Sequence, residues 1–126
     1  MCLDIITKRE GKNGYGYKIF YRNKNGKLYS ECMGTSVERK YGTWLKSKGR
    51  RQTISTAKDL EKYCPGFHIL TNKKAARRWL IESNDDGAGG FVIRKVRYNN
   101  VVAIGEQDKL RCVVAKEIKI EKRNIV

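Results

Sequence analysis

Lysine and arginine are threaded among isoleucine, valine, tyrosine and phenylalanine along most of this chain, and that interleaving limits the folds open to it. Charged groups must reach water while their apolar neighbours leave it, and an extended strand does this by turning alternate residues to opposite faces. A detached basic tail would gather its charge into one low-complexity block. Here the charge runs from Lys8 and Arg9 to Lys122 and Arg123 through segments of regular period, so the field belongs to a folded surface. The 28 Lys and Arg against 13 Asp and Glu give a net charge of +15 on 126 residues. Such a surface calls for an anionic partner: nucleic acid, a nucleotide or other phosphate-bearing ligand, or an acidic membrane surface.

The clearest local signal is a β-hairpin over residues 15–32. Tyr17, Ile19 and Tyr21 alternate with Lys18, Phe20 and Arg22, and Asn25-Gly26 supplies the positive φ of a tight turn before Leu28, Tyr29 and Ser30 return. Residues 32–52 read mostly as loop, pinned to the core by Tyr41, Trp44 and Leu45, with Lys46, Lys48, Arg50 and Arg51 turned to solvent or a ligand. Thr56, with Asp59 three residues on, predicts a short capped helix that Cys64-Pro65-Gly66 ends. Phe67–Leu70 reads as a short buried strand, from which His68 alternates away as a half-exposed residue.

Thr71 predicts the cap of the main helix, Asn72 to about Glu82, with Ala75, Ala76, Trp79 and Leu80 on one face and Lys73, Lys74, Arg77 and Arg78 on the other. Residues 84–90 read as a turn that lacks the Lys-Ser/Thr of a phosphate loop. Phe91–Tyr98, a turn at Asn99-Asn100, Val101–Gly105, a turn through Gln107–Lys109 and Leu110–Ile120 predict a three-stranded meander. Its last strand puts Leu110, Cys112, Val114, Ile118 and Ile120 on one face, interrupted by Lys116 at an edge or a polar pocket. The expected fold is therefore a single α+β domain over 1–126: mainly antiparallel sheet, with an N-terminal hairpin, a C-terminal three-stranded meander, one main amphipathic helix and one short helix.

Cys2, Cys32, Cys64 and Cys112 lack the paired spacing of a zinc site, so reduced thiols are expected, Cys112 in the core, with no metal. No signal peptide and no apolar run long enough to span a bilayer can be read, which leads us to expect a soluble, cytoplasmic protein away from membranes. The lone His68 has no evident partner and no glycine-serine-glycine elbow occurs, so a binder is expected in place of an enzyme.

Arginine forks suit phosphate, aromatic faces suit a base, and asparagine amides suit its polar edge. The guanidiniums nearest expected strand ends and turns are Arg22, Arg51, Arg94, Arg97 and Arg111; Phe67, Phe91 and Tyr98 are the aromatic candidates, and Asn99 and Asn100 the amides. These candidates concentrate within residues 91–111.

The opening Met-Cys-Leu, the Gly-Tyr-Gly-Tyr-Lys-Ile-Phe strand with its Gly-Lys-Leu-Tyr-Ser return, the Trp44 loop, Pro-Gly-Phe-His-Ile and the closing Val-Ile-Arg-Lys-Val-Arg-Tyr, Val-Val-Ala-Ile-Gly-Glu-Gln and Val-Val-Ala-Lys-Glu-Ile series resemble small bacteriophage and prophage proteins. Among these the chain resembles the Thoeris anti-defence 1 family. The resemblance is one of overall pattern and carries no binding residue across. It implies a sponge without cofactor that sequesters a small cyclic nucleotide immune signal, a cyclic ADP-ribose isomer or a cyclic oligonucleotide, uncleaved in the infected cell. Assembly as a homo-oligomer would surround such a polyanion more completely. The alternatives are a nucleic-acid-binding phage protein that reads phosphate and shape, and a direct protein inhibitor of an immune enzyme.

Overall fold

The computed structural model describes residues 3–22, 25–30, 40–47, 54–58, 60–63, 66–83, 91–107 and 109–121. In chain order these form β1 (Ile5–Lys8), β2 (Gly14–Arg22), β3 (Leu28–Ser30), β4 (Trp44–Lys46), β5 (Ile54–Ser55), β6 (Lys62–Tyr63), β7 (Phe67–Leu70), α1 (Lys73–Ser83), β8 (Phe91–Gln107) and β9 (Leu110–Ile120). Strand far exceeds helix, and the strand pairs are antiparallel, as the alternating pattern predicts.

Two long strands organise the sheet. One edge of β8 pairs with β2 and then β1, and its other edge pairs with β9. β9 in turn takes β7 and then β4 on its far edge. A single pairing of Tyr17 with Leu70 joins β2 to β7, so β8, β2, β7 and β9 close into a ring. Gly16 permits that closure: a Cβ there would lie 2.3 Å from Ile69 Cγ2 and 2.9 Å from the Leu70 carbonyl oxygen.

The closed sheet buries both faces of its middle. Leu3, Ile19, Tyr63, Leu70, Ala76, Ile93, Ala103, Cys112 and Val114 form one cluster, and Phe20, Leu28, Phe67, Ile69, Val96, Ala115, Ile118 and Ile120 form a second. The helix packs on the first through Ala76 and Trp79, whose indole meets Phe91 edge-on with centroids 5.9 Å apart. Cys112 is a buried free thiol, in keeping with its expected place in the core.

Several expectations are corrected. The predicted turn at Asn99-Asn100 is a distortion within the continuous strand β8: Asn100 adopts φ 58°, which asparagine tolerates better than most residues, and the register shifts between Val101 and Ala103. The meander is thus one long hairpin of β8 and β9. Opposite Asn100, β9 changes core: Cys112 and Val114 serve the first cluster, Ile118 and Ile120 the second, and exposed Lys116 lies at the changeover. The predicted short helix is the β5/β6 hairpin, its reversal using Leu60 at φ 57°, and the Thr56 hydroxyl accepts from the Glu61 N–H across it. Asn72, one residue after the expected Thr71, caps α1 by accepting from the Lys74 N–H at 2.8 Å. The loop expected over residues 32–52 yields β4, in which Leu45 packs on the core, while Trp44 and, ahead of the strand, Tyr41 are exposed and do not pin it. Parts of that loop, the 84–90 turn, the Leu80 side chain, Cys2, Cys32 and Cys64 lie outside the described residues. No helix among the described residues is long and apolar enough to cross a membrane.

Candidate functional site

The sheet face that α1 covers near Phe91 and Ile93 continues past the helix into solvent. Antiparallel register places Tyr15 opposite Arg97, Arg97 opposite Lys119 and Lys119 opposite Trp44, in a row that crosses β2, β8, β9 and β4. Directly opposed residues share a face, so this row is one surface. Val96, Ile118 and Ile120 alternate to the other side and are buried in the second cluster, which anchors the row from below.

Tyr15 is the centre of the charged part. Its ring, 52% exposed, lies 5.1 Å from the Lys95 ammonium and 5.0 Å from the Arg97 guanidinium carbon. Two cations gathered at one ring repel each other, and the ring's negative face offsets only part of that, about 0.5–1 kcal/mol per exposed contact. Arg97 also meets Glu121 at 3.1 Å. That pair is half exposed, and an exposed pair of this kind contributes about 0–1 kcal/mol, so it opens at little cost. Glu117, the second acid of this face, is held by the Asn100 amide, which donates to its Oε1.

The residues singled out from sequence divide by face. Arg97 and Asn99 lie on the open surface, Asn99 facing Glu117, and Asn100 reaches the same carboxylate. Arg94 and Tyr98 alternate to the opposite side, where the Arg94 Nε–H donates to the Tyr41 hydroxyl at 2.9 Å and Tyr98 packs on the second cluster. Phe91 is held between Tyr21 and Trp79, and Phe67 is buried beneath Lys18. Arg22 is exposed at the end of β2, Arg111 is exposed near the β8/β9 reversal opposite Glu106, and Arg51 lies outside the described residues. Tyr15, Trp44, Lys95 and Lys119 were not singled out. Period-two alternation puts Tyr15 on the face of Tyr17 and Lys95 on that of Arg97, but only the pairing of distant strands joins the two sets.

A second polar group is interior. Lys18, 4% exposed, donates from Nζ to the His68 carbonyl at 3.2 Å and lies over the rings of Phe20 and Phe67. The Tyr63 hydroxyl accepts from the Leu3 N–H at 2.9 Å and lies 3.0 Å from His68 Nε2. Burial, reinforced by the Lys18 charge, lowers the His68 pKa to about 3 against a hydrogen bond to the Gly66 backbone that works the other way. The imidazole is therefore neutral near pH 7, and the Tyr63 O–H donates to Nε2. The half-exposed His68 expected from alternation is corrected to a buried one: β7 lies between β2 and β9, and all four of its residues are buried.

No family model matches the chain, and neither a curated protein nor a solved structure is similar to it.

Proposed function

We propose that the chain is a non-catalytic binder that captures a phosphate-bearing nucleotide on this open face and leaves it intact. The observation that carries the reading is the meeting of Lys95 and Arg97 over the exposed Tyr15 ring. A phosphate between the two cations relieves their mutual repulsion and accepts from the guanidinium fork. Tyr15 and the neighbouring Asn99 supply a ring and an amide within the same surface for a base or ribose. Within this reading we propose a cyclic nucleotide immune signal as the ligand, which the sequence resemblance to anti-defence sponges favours. An open face on one subunit is enclosed more fully by a second copy, so ligand-dependent assembly belongs to the reading, and sedimentation velocity with and without ligand tests it.

The test is calorimetry with a cyclic ADP-ribose isomer, followed by heat release of the bound material and its identification by mass spectrometry. The reading requires saturation at a defined stoichiometry, recovery of the ligand unchanged, and loss of binding in Arg97→Ala. A cleaved product, or binding indifferent to Arg97, counts against it.

A further inference from the structure

We infer that the open face takes single-stranded nucleic acid long enough to lie across four strands, an inference that rests on the phosphate-binding reading above. The row from Trp44 through Lys119 and Arg97 to Tyr15 presents ring, cation, cation and ring in sequence. Both terminal rings are open to solvent, Trp44 at 40% and Tyr15 at 52%. Neighbouring strands lie about 4.8 Å apart, so three steps separate the rings by about 14 Å. A mononucleotide has one base and can stack on only one of them. Successive nucleotides of a strand offer a base to each ring and place phosphates over the two cations between.

Stacking rings alternating with backbone-tracking cations is the chemistry by which proteins hold single strands without reading their sequence. A duplex keeps its base faces stacked within the helix and can offer this surface mainly its phosphates. Lys46 and Asn99 flank the row, both opposite Glu117, and extend its polar border. The net charge of +15 supplies the long-range attraction such a ligand needs.

Thymidine oligonucleotides from the monophosphate to about eight residues, with a duplex of the same length, provide the test on the full chain. Affinity is expected to rise about ten- to a hundredfold between the mononucleotide and about four residues and then to level off. Trp44→Ala should bring the ratio of oligonucleotide to mononucleotide affinity down toward one, while Trp44→Phe, which keeps a ring, preserves most of it. Equal affinity at every length, a ratio untouched by Trp44→Ala in protein that melts normally, or a duplex bound as tightly as the strand overturns the inference. A flat length profile with Arg97-dependent binding of the mononucleotide leaves the phosphate reading standing. Binding of neither nucleotide nor strand removes both.

Discussion

Lys18 and Lys95 stand on neighbouring strands of one sheet, yet their surroundings are opposite. Lys18 is sealed among Phe20, Phe67 and the His68 carbonyl, whereas Lys95 hangs in solvent at the Tyr15 ring beside a second cation. The interior charge is fixed by contacts the fold itself supplies, and it acts on stability and on the protonation of His68. The outer pair meets over one exposed ring, and Arg97 also pairs with the half-exposed Glu121. A net charge of +15 is therefore no map of a binding surface. The register that gathers the cations, and the burial that sequesters one of them, decide what each does.

The largest expected effect tests whether ring closure underlies both regions. Gly16→Val forces a side chain into Ile69 and the Leu70 carbonyl, and a clash of this kind costs about 3 kcal/mol, read as a lower urea midpoint with loss of nucleotide affinity on partial unfolding. Unchanged stability would separate the two regions from the closure.

Acid should attack the interior alone. His68 has a pKa of about 3 in the folded chain against an ordinary 6.5, so its contribution is complete above about pH 6.5 and is lost progressively as pH falls toward 3. Between about pH 6.5 and 5 the loss approaches about 2 kcal/mol, measurable by urea unfolding at the two pH values. His68→Asn should flatten that dependence.

Exchanging the substitutions sharpens the contrast. Arg97→Ala should weaken nucleotide binding by about ten- to a hundredfold while moving stability by less than about 0.5 kcal/mol, because the side chain is exposed. Lys18→Met should do the reverse: with the neighbouring charge gone the His68 pKa rises toward its ordinary value and acid sensitivity shrinks, with affinity unchanged. Calorimetry and unfolding of both variants decide it.

The smallest effect concerns the carboxylate that pairs with Arg97. Glu121→Gln frees Arg97 from an exposed ion pair, so affinity should rise by about two- to fivefold, the equivalent of about 0.5–1 kcal/mol. A fall in affinity would show Glu121 to be orienting Arg97 for the ligand.

Local chemistry made much of the fold legible. Asn25-Gly26 marked the first hairpin, with Gly26 at φ 80°, and the spacing of Ala76 and Trp79 marked the helix. The same local chemistry misled where a turn signal stood for something else: Asn99-Asn100 distorts a strand, and the Thr56 hydroxyl closes a hairpin where a helix cap was expected. His68 was misread because alternation describes a sheet with one wet face, while β7 is covered on both. At the site, Arg97 and Asn99 were legible as polar residues in a strand. Tyr15, Lys95, Lys119 and Trp44 were not, since their proximity follows from pairings between segments up to about eighty residues apart, which no local period encodes.

The most direct test is an amide chemical-shift titration of the labelled chain with a cyclic ADP-ribose isomer. The largest shifts should fall on Tyr15, Lys95, Arg97 and Lys119 and leave Lys18, His68 and Tyr63 nearly still. Shifts concentrated instead on the basic helix face at Lys74, Arg77 and Arg78, or on the Lys8–Lys12 segment, with the Tyr15 row unmoved, would contradict the proposed site.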